Sequence, residues 1–139
     1  MILLDTNVVS EPLRQAPEPR VIAWMDAQAV DTLYLSAITV AELRAGMALL
    51  PAGKRRNGLQ ENLEQQILPL FAGRVLPFDL ACTPSYAALM TRSRAAGLAI
   101  GMADACIAAI AAAQGFAVAT RDTSPFKAAG LAVINPWQS

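Results

Sequence analysis

The amino-acid sequence predicts an α/β protein: a three-layer α/β/α sandwich built on a mainly parallel sheet of about five strands. Two features of pattern and one of composition lead there. Short continuous apolar runs recur at residues 2–4, 33–35, 75–76, 116–120 and 131–134, the mark of strands buried on both faces rather than of a sheet half open to water. Segments of helical length separate them, and strands alternating with helices specify parallel pairing through crossover connections. Apolar residues make up 55% of the chain without counting glycine, against 16% charged. That surplus suits a sheet covered on both sides and leaves apolar surface for an oligomer or partner. At 139 residues the chain reads as a single domain that buries roughly two-thirds of its unfolded surface.

The elements follow in order. Residues 1–4 run into Asp5 with no turn residue between them, so that carboxylate stands at the carboxyl end of the first strand. Residues 8–13 make a short helical turn, ended by the loop Gln15-Ala16-Pro17-Glu18-Pro19. Pro19 opens a helix to about Ala29 with Val21, Trp24 and Met25 on one face. After the second strand, Ser36-Ala37-Ile38-Thr39 leads into a helix to about Leu50, terminated by Pro51 and Gly53. Lys54-Arg55-Arg56-Asn57-Gly58 reads as a basic turn. It opens a helix from about Leu59 to Leu70, in which Leu59, Leu63, Ile67 and Leu70 form an apolar stripe. Pro77 closes the third strand. A helix from about Thr83 to Ala96 stops at Gly97, and an alanine-rich helix from about Gly101 to Gln114 stops at Gly115. The fourth strand runs towards Asp122, Ser124-Pro125-Phe126 starts a short helix ending near Gly130, and the fifth strand follows. Met25, Met47, Met90 and Met102 read as core fillers, and Trp137 as packing the carboxyl tail onto the body.

Composition narrows the chemistry. The chain has no histidine, which removes the commonest general base and the usual nitrogen ligand of zinc. Cys82 and Cys106 are far apart and outside any Cys-x-x-Cys motif. They read as two reduced thiols behaving as small apolar residues, and hence as those of a cytoplasmic chain. The formal net charge is zero, so attraction to nucleic acid must be local or assisted by metal ions. The amino end lacks a basic leader and carries Asp5 too early for a signal peptide. Residues 95–120 are apolar, but alanine dominates, three glycines interrupt and Asp104 sits inside, which describes a buried helix better than a membrane span.

Four acids are placed to meet. Asp5 and Asp122 each follow a strand, and in a parallel sheet all carboxyl ends share one rim, where α/β folds form their ligand crevice. Glu42 belongs to the helix that leaves the second strand, and Asp104 shares a helical face with Ile107, Ala108 and Ala111. Each has a bland reading beside this one. Asp5 can cap a turn, Thr39-x-x-Glu42 fits a capping box, Asp104 can face the dipole of its helix, and Asp122 can sit in a turn. Gathered together, however, the acids repel: two unit charges ~5 Å apart at an effective dielectric of ~20 cost about 3 kcal/mol. A divalent cation with a preference for oxygen, Mg²⁺ or Mn²⁺, is the natural counter-charge. Such a site suits phosphodiester hydrolysis and needs no histidine.

The blocks Leu3-Leu4-Asp5-Thr6-Asn7, Thr39-x-x-Glu42-Leu43, Gly101-x-x-Asp104-Ala105 and Ala119-Thr120-Arg121-Asp122 resemble, in order and spacing, the four signature blocks of PIN-domain ribonucleases. Within these the chain is most similar to VapC-type toxins of bacterial toxin–antitoxin pairs, and to FitB-like proteins among them. The likeness extends to the Asn135-Pro136-Trp137 tail. It implies a PIN-like fold and a metal-dependent endoribonuclease. Asp5, Glu42, Asp104 and Asp122 would be both catalytic residues and ligands to one or two Mg²⁺ or Mn²⁺ ions. Thr120, or the pair Thr6 and Asn7, would support those ligands. It further implies an RNA substrate, a homodimer, and a small DNA-binding antitoxin that blocks the site and joins the toxin in a higher assembly on operator DNA.

Among the cations, Arg121 stands beside Asp122 as a phosphate contact or a surface residue. Arg44 either faces the groove or pairs with an acid, and Lys54, Arg55 and Arg56 either track an RNA backbone or form a solvated turn. Two other function classes share parts of the pattern. A phosphotransfer domain of the haloacid-dehalogenase or receiver type also places an Asp at a strand end, but the phosphatase pattern wants a second Asp two residues on, where this chain has Asn7. A module that grips RNA or a partner without cutting has no need of four acids.

Overall fold

The computed structural model describes residues 1–138. Strands β1 (Ile2–Leu4), β2 (Leu33–Ser36), β3 (Val75–Leu76), β4 (Ala117–Ala119) and β5 (Val133–Ile134) form one sheet in the order β3-β2-β1-β4-β5. Every pairing is parallel. The first strand in the chain is thus the central one: Ile2 is paired with Leu33 on one side and with Ala117 on the other. Its neighbours lead away in opposite directions, which makes the space beyond the carboxyl ends of β1 and β4 a topological switch point.

Successive side chains of a strand point to opposite faces, and β1 and β4 split the core accordingly. Leu4 and Ala119 join one apolar cluster with Val8, Val21, Leu43 and Met47. Leu3 and Val118 join the other with Leu89, Ile107, Ile110 and Phe126. The first cluster lies under α1 (Thr6–Ser10), α2 (Pro19–Ala27), α3 (Ala37–Ala48) and the segment that follows α4 (Lys54–Asn62). The second lies under α5 (Thr83–Ala95), α6 (Met102–Gln114) and α7 (Thr123–Ala128). Leu3, Leu4 and Val118 are 0% exposed, the two-sided burial that their apolar runs predict. α6 ends where Gly115 takes a left-handed conformation (φ +71°), and the amide of Phe116 returns to the Ala111 carbonyl at 2.9 Å. Among the described residues no helix is long and apolar enough to cross a membrane.

Four expectations need correction. Residues 54–58 are not a turn: α4 begins at Lys54 behind Gly53. Lysine and arginine are good helix formers, and they carry Gly58 along at a cost of about 1 kcal/mol. The helix does not keep α phase to Leu70. Residues 63–67 are π-helical and residues 68–71 a 3₁₀ turn, so the extra residue per turn rotates Leu70 outward (57% exposed) and brings Phe71 into the core (4%). Met90 and Met102 are not core fillers, being 37% and 77% exposed, whereas Met47 is buried. β5 pairs over Val133–Ile134 only, shorter than the apolar run that contains it.

Candidate functional site

The all-parallel sheet puts the carboxyl ends of all five strands on one rim. Asp5 leaves β1 there and caps α1, its Oδ1 accepting the Thr6 amide at 2.8 Å. Asp122 lies just beyond β4 at the start of α7. α3 departs directly from β2 and carries Glu42, and Asp104 occupies the first turn of α6. Asp5 is buried, Asp104 half-buried, and Glu42 and Asp122 exposed.

Glu42 does not close a capping box. The cap of α3 is Ser36, whose buried Oγ accepts the Thr39 amide at 3.0 Å. The helix starts three residues earlier than a Thr39 cap requires, so Glu42 sits a turn too far along to reach the cap amide. Its partner is across the rim: the Thr6 hydroxyl donates to Glu42 Oε1 at 2.6 Å and lies 3.1 Å from the Thr39 hydroxyl. The Thr39 contact is a participant that the sequence did not reveal. Thr39 looked like a helix cap, and nothing local points a buried side chain 33 positions back along the chain.

A second hydroxyl ties the other two strand ends. Thr120, 0% exposed, donates to Asp5 Oδ2 at 2.8 Å and accepts the Asp122 amide at 3.1 Å. Asn7 spans the same gap: its Nδ2 is 3.5 Å from the Thr120 hydroxyl, and its Oδ1 accepts the Arg121 amide at 3.4 Å. Two of the acids are therefore held by hydroxyl donors, Asp5 by Thr120 and Glu42 by Thr6, while Asp122 holds Thr120 through its own backbone. A carboxylate fixed in this way has lost its rotamer freedom before any ligand arrives.

Electrostatics show that the acids share one neighbourhood. Burial, followed by the charges of Asp5, Asp122 and Glu42, pushes the Asp104 carboxyl up to about 6. Burial also raises Asp5. The hydrogen bonds from Thr120 and the Thr6 amide oppose that rise, and the charges of Glu42 and Asp122 add to it. The charges of Glu42 and Asp122 thus bear on both Asp5 and Asp104, as like charges in one neighbourhood do. As the side chains stand, no three carboxylates among the described residues are drawn into a set that could hold a metal ion, as expected of acids that repel. The donor chemistry itself suits a hard divalent ion: oxygen ligands only, four carboxylates on one rim, and nitrogen and thiolate absent from it.

Two arginines close in sequence to the acids have partners of their own. Arg44 turns from the acids to pair with Glu64 at 2.9 Å. Arg121 is exposed, with its guanidinium 5.3 Å from the centre of the Trp137 ring, so Trp137 both packs the tail and carries the arginine beside Asp122.

A family model described as PIN domain matches residues 2–131. Three curated proteins are similar over almost their whole lengths. Plasmid stability protein StbB of Pseudomonas syringae pv. tomato is 67% identical, with 100% of both chains covered. VapC ribonuclease Y4jK of Sinorhizobium fredii is 62% identical and Toxin FitB of Neisseria gonorrhoeae 57% identical, each with 99% of both chains covered. Among solved structures, that of FitAcB from Neisseria gonorrhoeae matches with a TM-score of 0.96 at 56% identity over 100% of both chains. That of FitAB bound to a DNA fragment matches with a TM-score of 0.95 at 55% identity, covering 99% of this chain and 96% of the other.

Proposed function

The chain belongs to the PIN-domain family, and from that membership we propose that it is a metal-dependent endoribonuclease, the toxin of a type II toxin–antitoxin pair. Relatives of high identity are named a VapC ribonuclease and a FitB toxin, and a similar chain is found in a DNA-bound complex. The proposed setting is accordingly the cytoplasm. The partners are a homodimer mate and a small DNA-binding antitoxin that covers the site and carries the pair to operator DNA. The observation that supports this reading most is the placement of Asp5, Glu42, Asp104 and Asp122 on one rim of the sheet, where the charges of Glu42 and Asp122 bear on both Asp5 and Asp104.

These four acids would hold one or two Mg²⁺ or Mn²⁺ ions. When bound, such an ion supplies an activated water at neutral pH and offsets the charge that develops on the phosphoryl group. The chain's own residues set the stage for it. Thr120 keeps Asp5 facing the rim, and Thr6 keeps Glu42 there. Asp104 enters the reaction deprotonated once its neighbours' charge is offset. Arg121, stacked on Trp137, offers guanidinium donors to a phosphate of the substrate strand.

The test is cleavage of single-stranded RNA by the purified chain with Mg²⁺ or Mn²⁺. EDTA is expected to abolish it, and Asp5→Asn and Asp104→Asn to lower it by at least about a hundredfold. Thr6→Val, which removes the hydroxyl from Glu42, is expected to lower it by about 10–100-fold. Undiminished cleavage by both Asn variants defeats the assignment.

A further inference from the structure

The four-acid reading leaves the hydroxyl of Thr39 without a task. The residue is 0% exposed, and a buried hydroxyl needs a partner. It is not spent on capping α3, because Ser36 already takes the Thr39 amide on its own Oγ at 3.0 Å. The Thr39 side chain is thereby free to meet Thr6, with 3.1 Å between the two hydroxyl oxygens. Which of the two donates follows from counting hydrogens. A hydroxyl has one hydrogen and two lone pairs, and an ionised carboxylate can only accept. The Thr6 hydrogen goes to Glu42 Oε1, at the 2.6 Å typical of a hydroxyl on a carboxylate. Thr39 must then donate to Thr6, so the chain runs from Thr39 through Thr6 to Glu42. Thr39 and Glu42 stand three residues apart on one face of α3. Both ends of the chain therefore belong to one rigid element, and Thr6, at the head of α1, is clasped between them.

We propose that Thr39 is a positioning residue of the metal site: by donating to Thr6 it fixes the Thr6 hydroxyl as a donor to Glu42, and so holds that carboxylate ready for a divalent ion. The inference rests on the metal-dependent reading given above. Glu42 is exposed, and a long exposed side chain loses rotamer freedom when a ligand fixes it. Thr6 alone restrains it poorly, since a hydroxyl hydrogen turns about its own C–O bond. A bond accepted from the buried Thr39 removes that turn. Hydrogen bonds in a chain also polarise and strengthen one another, which makes the outer bond to Glu42 dependent on the inner one.

Metal binding reads this role without reference to cleavage. The full-length chain, freed of metal with a chelator and then of the chelator, is titrated calorimetrically with Mn²⁺. Thr39→Val keeps the branched shape and removes the hydroxyl. It is expected to weaken Mn²⁺ binding by about five- to tenfold, a smaller loss than that of Thr6→Val, which removes the hydroxyl in direct contact with Glu42. Thr39→Ser returns the hydroxyl and is expected to bind within about twofold of the wild type. In the Thr6→Val background, Thr39→Val is expected to cost nothing further, because the chain is already cut, whereas a loss through packing would add to the first. Wild-type Mn²⁺ affinity in Thr39→Val overturns the proposal, as does an equal loss with and without the Thr6 hydroxyl. If RNA is still cut by that chain and EDTA still stops it, the ribonuclease reading stands while the role of Thr39 falls. A chain that shows the expected Mn²⁺ affinities and cuts no RNA gives the reverse, with Thr39 confirmed as a positioning residue and the ribonuclease reading lost. A wild-type chain that binds no Mn²⁺ overturns both.

Discussion

At the scale of single residues, the site is a contest between carboxylates that repel and hydroxyls that hold them. Asp104 registers the outcome. Its folded-state carboxyl keeps a proton up to about pH 6, against a reference value of 3.8. Between those values the folded chain binds a proton that the unfolded chain has released. Stability from this group is therefore present at low pH and lost as the pH rises through about 6. In the presence of a chelator, the wild-type chain is expected to gain in melting temperature relative to Asp104→Asn when the pH is lowered from 7.5 to 5. Mn²⁺ added at pH 7.5 is expected to raise the wild-type value and leave Asp104→Asn nearly unchanged. A wild-type minus variant difference that does not move with pH contradicts this account. The positions of the four acids were legible in the sequence, because a strand end and a helix start on a parallel sheet have a defined edge. The hydroxyl pairings were less so: which carboxylate the Thr6 or Thr120 hydroxyl donates to depends on contacts between residues 36 and 115 positions apart.

At the scale of elements, the strands were legible and the helix phases only in part. An apolar run between turn residues identifies a two-sided strand almost by itself: four of the five lie within the runs that predict them, and β2 runs one residue past its own, to Ser36. A helix start depends on which of several polar side chains captures the first amides. Ser36 wins that competition from Thr39, and Gly53 opens α4 where a basic turn was expected. The stripe of Leu59, Leu63, Ile67 and Leu70 assumed 3.6 residues per turn throughout, and the π-helical stretch over residues 63–67 is invisible to that assumption. Urea denaturation can check the corrected phase. Phe71→Ala is expected to cost about 3–5 kcal/mol as a buried aromatic, and Leu70→Ala to stay within ~0.5 kcal/mol. Equal losses would restore the regular helix.

At the scale of the whole molecule, the order β3-β2-β1-β4-β5 makes residues 2–4 the keystone of a sheet that residues 117–119 must complete. Pairing of Ile2 with Ala117 joins positions 115 apart, a contact of the kind that folds late and slowly. A fragment ending at residue 116 keeps Asp5, Glu42 and Asp104 but has no β4 and no Thr120. It is expected to show no cooperative thermal transition and no RNA cleavage, and a sharp transition for that fragment would show that the first two-thirds of the sheet stand alone. The same arrangement bears on how such a chain is made. While the ribosome is still adding the first hundred residues, the emerging polypeptide has neither the Thr120 anchor of Asp5 nor Asp122, so the rim stays incomplete. Only near the end of synthesis, when residues 117–122 join the sheet, do all four acids come to stand on one edge.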